Sequence, residues 1–89
     1  MSSSSFKELL GNAIDVTNQK LAVFPKYGVY IHAMEQLVLI RTIISQTEKP
    51  TKKQKDMINI GFMAVRELET SDPGYCDILC EIDEIFKKL

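Results

Sequence analysis

The spacing of apolar residues predicts four helices separated by three breaks that contain proline. The breaks lie at 24–26, 48–51 and 70–74, and proline disfavours helix in the residue before it. The first segment, about Ser5 to Val23, has apolar residues three and four positions apart, which is typical of an amphipathic helix. Its stripe comprises Phe6, Leu9, Leu10, Ala13, Ile14, Thr17 and Leu21. Gly11 falls on the outer side, where glycine costs about 1 kcal/mol relative to alanine.

The second segment, about Tyr27 to Thr47, is the most apolar and shows apolar residues on two faces. Its main stripe comprises Tyr30, Met34, Leu37, Val38 and Ile44. At roughly 100° per residue, Arg41 falls in the middle of that stripe. A guanidinium there needs a carboxylate or several carbonyls, so we expect an ion pair with Glu67, or else direct contact with a partner protein. The far side, with Val29, Leu39 and Ile43, indicates a helix that is central in its bundle or docked against something else.

The remaining two segments complete an all-α pattern. The third runs from Thr51 to about Leu68 and opens with a capping-box sequence. Its predicted face comprises Met57, Gly61, Ala64, Val65 and Leu68, and the small residues at its centre predict the close approach of another helix. The fourth begins at Asp72-Pro73, a favourable N-cap followed by proline at the first helical position. Its stripe comprises Tyr75, Ile78, Leu79, Ile82, Ile85, Phe86 and Leu89. The prediction is a small antiparallel bundle of four helices.

Length and charge limit the possible functions. The 89 residues predict one domain, 1–89, with a single small core and a disordered stretch at 1–4. Eleven Lys and Arg against twelve Asp and Glu argue against a nucleic-acid partner, which requires a clear cationic excess. The N-terminus lacks the features of a secretory signal, and no stretch reaches 18 uncharged apolar residues. We therefore expect no membrane partner and a cytoplasmic location.

The residues able to carry chemistry are few. Cys76, Cys80 and His32 fall short of the four ligands of a structural zinc site. Cysteines one helical turn apart also diverge too far for an unstrained disulfide. We interpret both cysteines as small hydrophobic residues at the core boundary and His32 as a surface histidine, with partner contact as an alternative. No phosphate-binding loop, nucleophile elbow or carboxylate–histidine set occurs. The sequence thus predicts no catalytic residue, no cofactor, no metal and no enzyme activity.

Acidic residues concentrate at the end of the third segment and on the outside of the fourth. They comprise Glu67, Glu69, Asp72, Asp77, Glu81 and Glu84. A charged outer face commonly serves solubility alone. Concentration on one loop and one helix also fits a binding surface.

Four strings carry a resemblance to a known family. Phe24-Pro25-Lys26-Tyr27 leads into a segment, 33–41, that contains Gln-Leu-Val-Leu-Ile-Arg. Later come Gly61-Phe62-Met63-Ala64-Val65-Arg66-Glu67 and then Asp72-Pro73. In order and spacing, over about residues 20 to 80, this resembles the small all-helical immunity proteins that neutralise NAD(P)+ glycohydrolase effectors of bacterial type VI secretion. The chain departs from that pattern at Met34-Glu35 and Cys76.

The resemblance implies a protein that binds a cognate toxin and blocks its active site without catalysis of its own. The positions that match the family pattern are Tyr27, Gln36, Arg41, Gly61, Glu67 and Asp72, and we interpret Gly61 as a packing residue. Together with the acidic side, and with Tyr30 as a further aromatic anchor, they give the expected toxin-binding set: Tyr27, Tyr30, Gln36, Arg41, Glu67, Glu69, Asp72, Asp77 and Glu81. The alternative is a helical adaptor or regulator that acts as a homodimer through the second apolar face of the second helix.

Overall fold

All regular structure in the described part of the chain is helical. The computed structural model describes residues 3–89, with side chains from residue 5 onward. Its helices are α1 (Ser3–Val23), α2 (Gly28–Gln46), α3 (Lys52–Asp56), α4 (Ile60–Leu68) and α5 (Pro73–Lys88). The prediction of a small all-α bundle is confirmed, with four longer helices and the one-turn α3. Of the stretch expected to be disordered, residues 1 and 2 lie outside the described residues, and residues 3 and 4 belong to α1.

The core is built from the predicted stripes of α1 and α5, with one face each of α2 and α4. Leu10 of α1, Leu37 of α2, and Leu79 and Phe86 of α5 are each at most 1% exposed. The bundle measures 34 × 21 × 21 Å. The burial of these side chains is the main force that holds the short helices together, because isolated helices of this length are marginal in water.

The close approach of α4 and α5 occurs at Gly61, as predicted. The Gly61 N–H donates to Asp83 Oδ2 at 2.8 Å, and a Cβ on Gly61 would lie 3.0 Å from the Asp83 side chain. Asp83 is buried, and its other oxygen lies 3.1 Å from Lys87 Nζ. Asp83 therefore accepts a hydrogen bond from a backbone N–H in the first turn of α4. The side chain of Asn59, the N-cap residue of α4, makes no such bond.

The third segment is two helices, so the prediction of one helix from Thr51 to Leu68 is wrong. The capping box at Thr51 does form: the Gln54 N–H donates to Thr51 Oγ1 at 3.1 Å, and the Thr51 N–H donates to Gln54 Oε1 at 2.9 Å. The helix ends at Asp56, and α4 begins at Ile60. This break lets Ile58 and Ile60 both enter the core. Two members of the predicted face, Met57 and Val65, are instead about half exposed.

The buried face of α2 is rotated relative to the predicted stripe. It comprises Ala33, Gln36, Leu37, Ile40 and Ile43. Arg41 consequently lies at the edge of this face and is exposed, so the predicted ion pair with Glu67 is wrong. Glu67 pairs with its neighbour Arg66 at 2.9 Å.

The second apolar face of α2 is largely covered. Ile43 is buried, and Val29 and Leu39 are half-buried against the core. This face therefore packs within the bundle, where α2 contacts α1 and α4. Within the described residues, no helix combines the length and apolar character needed to cross a membrane.

Candidate protein-binding surface

Four aromatic rings meet where α1 ends and where α2 and α5 begin. Tyr30 is central: its ring centroid lies 4.7 Å from that of Tyr27, 6.0 Å from that of Tyr75 and 6.4 Å from that of Phe24. The Tyr27 and Tyr75 contacts are edge-on, the arrangement that ring quadrupoles favour. Tyr75 is buried, whereas Tyr27 is 44% and Phe24 58% exposed. The cluster is thus anchored in the core and open to solvent at one end of the bundle.

An ion pair between Lys20 and Asp72 connects this cluster to α1. Lys20 Nζ lies 2.5 Å from Asp72 Oδ2, and it also lies 4.8 Å from the ring centroid of Tyr75 and 5.8 Å from that of Tyr30. Beneath it, Thr17 Oγ1 and the Tyr75 hydroxyl share a hydrogen bond of 2.6 Å, and burial raises the pKa of Tyr75. Asp72 is the N-cap residue of α5, as predicted, but its side chain makes no capping bond, because its carboxylate binds Lys20.

A shallow groove of about 470 Å³ separates the start of α2 from α4. Tyr27 lines it from α2, and Phe62, Arg66 and Glu67 line it from α4. Phe62 is 69% exposed, and the Arg66 guanidinium lies 5.6 Å from its ring centroid while Arg66 Nε contacts Glu67. Two of the predicted contact residues, Tyr27 and Glu67, therefore share one groove, together with an aromatic side chain and an arginine of the kind that dominates protein interfaces.

Three further predicted residues are exposed carboxylates. Glu69 follows α4 directly, and Asp77 and Glu81 lie one turn apart on α5. In the part of the chain that the structure describes, none of the three has a cationic partner, whereas Glu84 of α5 binds Lys88 at 3.0 Å. The three carboxylates are therefore available to cations on another molecule.

Gln36 and Arg41 do not belong to this surface. Gln36 is only 8% exposed, and both ends of its amide are used: Nε2 donates to the Met57 carbonyl at 3.1 Å, and Oε1 accepts from the Asn59 N–H at 2.7 Å. Gln36 therefore has an internal role in the described structure, and its contact with a toxin stays a prediction. Arg41 lies 11 residues beyond Tyr30 on α2, roughly 16 Å along the axis, and lines a different groove, against α1.

The residues with potential redox or metal chemistry are placed at the boundary of the core. Cys76 is buried and Cys80 half-buried, with Sγ atoms 4.0 Å apart and both thiols free, as the boundary interpretation requires. Burial raises the pKa of Cys80 to about 11, so it is a protonated thiol at neutral pH and a poor nucleophile. His32 Nε2 hydrogen-bonds Asn59 Oδ1 at 2.9 Å. No cluster of three or more His, Cys, Asp or Glu side chains suited to a metal ion occurs among the described residues.

Two features of this surface escaped the sequence prediction. Phe62 lies outside the predicted buried face of its helix, and an aromatic residue in that position was a readable signal for an exposed contact. The pairing of Lys20 with Asp72 joins residues 52 positions apart, and nothing in the local sequence indicates it.

A small helical bundle with an exposed aromatic groove, and with surface carboxylates that lack cationic partners among the described residues, has the features of a protein-binding module. The chain matches the family model of Tsi6 over residues 5–88 and belongs to that family. Tsi6 is a family of type VI secretion immunity proteins, so the immunity class implied by the resemblance is confirmed, and a cognate toxin protein is the partner. Comparison with curated proteins and with solved structures finds no significant match.

Proposed function

We propose that this immunity protein binds an NAD(P)+ glycohydrolase toxin domain, or a related ADP-ribosyltransferase-like toxin, and blocks its active site. The proposed contact residues are Tyr27, Tyr30, Glu67, Glu69, Asp72, Asp77 and Glu81. Inhibition by occupancy requires no catalytic residue on the immunity protein. Because such a toxin would consume the NAD(P)+ of the cytoplasm, the proposal includes a cytoplasmic location for the immunity protein.

The observation that carries the proposal is the exposure of Glu69, Asp77 and Glu81 without cationic partners in the described chain. A cleft that binds an anionic dinucleotide is expected to be electropositive. Carboxylates on a rigid surface are steered toward such a cleft and compete for the cations that hold the dinucleotide phosphates. The exposed rings of Tyr27 and Phe62 supply apolar contact area that the charges alone do not provide.

The size of the bundle is compatible with the affinity that immunity requires. Continuous protection requires nanomolar binding or tighter, about −12 kcal/mol. An interface of ordinary size buries about 800 Å² on each partner. The chain exposes 5559 Å² in total, so such an interface would take up a modest share of its surface.

Reversal of two of these charges tests the proposal. We expect Glu69→Lys combined with Asp77→Lys to slow association with the cognate toxin domain by about tenfold at low salt. The measurement is the association rate at two ionic strengths, together with protection of growth when the toxin is co-expressed.

The matched control carries the same charge change elsewhere. Asp15→Lys combined with Glu35→Lys alters two exposed carboxylates of α1 and α2, and we expect a much smaller loss. Equal rates for the two double variants would show that only net charge matters and would contradict the proposed surface. Uninhibited toxin in the presence of the folded wild-type chain would contradict the function itself.

A further inference from the structure

A second groove lies between α1 and α2, away from the aromatic cluster. It has a volume of about 290 Å³, and its apolar lining comes from Leu10, Gly11 and Ile44. Lys7 and Arg41 line it with charged side chains. Within the described residues, neither of these cations has an ion-pair partner. The groove is therefore an apolar depression flanked by two positive charges.

No packing contact in the described fold requires glycine at position 11. It lies in the middle of a 21-residue helix, where glycine weakens helix formation. Apart from the adjoining backbone of α1 itself, no atom of the described residues lies within 4 Å of the position that a Cβ would occupy, whereas at Gly61 the Asp83 side chain lies 3.0 Å from that position. The absent side chain of Gly11 thus leaves the groove open without serving any contact within the chain.

We propose that this groove receives a segment of the toxin domain in which an apolar side chain lies next to a carboxylate. The apolar side chain packs over Gly11 and against the half-buried Ile44. The carboxylate pairs with Arg41, whose planar guanidinium suits two-point contact, and Lys7 adds a second positive charge. The inference rests on the proposed function only in that the chain binds a toxin. It assigns Arg41 to a contact separate from the acidic surface, which we define by Glu69, Asp77 and Glu81.

The charges of the two surfaces select different parts of the toxin. The acidic surface favours a cationic cleft, whereas the α1–α2 groove favours an acidic segment outside that cleft. Two contacts of opposite sign discriminate against a toxin that presents only one of them, because a like charge brought against either surface is repelled. The groove is thus a determinant of partner specificity.

Substitutions at Gly11 test the groove without loss of folding. Since alanine is the better helix former, Gly11→Ala is expected to raise Tm by roughly 4–8 °C. The same variant, and Gly11→Leu more strongly, should weaken binding of the catalytically inactive toxin domain, by about tenfold or more for the leucine variant. Asn12→Ala, on the exposed face next to Gly11, is the control and should leave the dissociation constant unchanged.

Charge reversal provides an independent measurement. Arg41→Glu should weaken binding by about tenfold, whereas Lys53→Glu on α3, with the same change in net charge, should have little effect. Wild-type affinity in Gly11→Leu, or equal losses in Arg41→Glu and Lys53→Glu, would overturn the groove while leaving the immunity function intact. Absence of toxin binding by the wild-type chain would overturn both.

Discussion

Gly61 and Gly11 both lie inside helices, but their surroundings are opposite. Gly61 faces the buried carboxylate of Asp83 at the crossing of α4 and α5. Gly11 faces open space. A methyl group at Gly61 crowds Asp83, whereas a methyl group at Gly11 improves helix propensity without crowding any part of the described fold.

We expect Gly61→Ala to destabilise the protein. Crowding of Asp83 costs about 1–3 kcal/mol, which exceeds the gain in helix propensity of about 1 kcal/mol. The net loss, measured by urea denaturation, should be about 1 kcal/mol. Gly74→Ala, with no atom within 4 Å of the added Cβ, is the control. A Gly61→Ala variant as stable as the wild type would contradict close packing at this crossing.

Cys80 gives stability a dependence on alkaline pH. Its pKa rises from 9.0 to about 11 through burial, so the folded state retains the thiol proton over a range in which the unfolded state releases it. The contribution is fully present below pH 9 and is lost as the pH rises toward 11. Cys80→Ala should therefore show a shallower fall in unfolding free energy between pH 8 and 11 than the wild type. Tyr75 contributes above pH 10 in both proteins, so identical slopes would exclude this role of Cys80.

At the scale of elements, the link between α3 and α4 depends on one side chain of α2. Gln36 accepts from the Asn59 N–H and donates to the Met57 carbonyl, and thereby holds the chain where it leaves one helix and enters the next. No other residue of α2 forms hydrogen bonds to both sides of that break in the described structure.

Removal of this amide should loosen the link. We expect Gln36→Ala to cost about 1–3 kcal/mol, because two backbone groups lose their partners, and to speed hydrogen exchange at the Asn59 amide. Glu35→Ala, at the adjacent exposed position, serves as the control. Unchanged exchange at Asn59 in the Gln36 variant would show that the break is held by packing alone.

Periodicity predicted the elements of this chain better than their orientation. The stripes of α1 and α5 were correct because their apolar positions are regular and their opposite faces are polar. The face of α2 was misjudged because apolar residues surround it, so its spacing alone does not decide which side meets the core. The break before α4 was missed because Met57-Ile58-Asn59 contains neither glycine nor proline and is stabilised by Gln36, 23 residues earlier.

For the whole molecule, the sequence located part of the candidate surface. Tyr27, Glu67 and the acidic residues of α5 were identified from the resemblance and from the charge pattern, and the structure places the first two in one groove. The distance of Arg41 from Tyr30 follows from their spacing along one helix. The exposure of Arg41 could not be read from the sequence, because it depends on the rotation of α2 against the core. A net charge of −1 likewise conceals two surfaces of opposite sign.

The contact of Lys20 with Asp72 and with two tyrosine rings has a consequence for binding kinetics. It joins α1, α2 and α5 at the end of the bundle where the aromatic rings are exposed. Lys20, Asp72, Tyr30 and Tyr75 therefore already contact one another in the free protein, which lowers the entropic cost of ordering this end of the bundle on association. A surface that is ordered in advance favours slow dissociation, and an immunity protein must hold its toxin continuously.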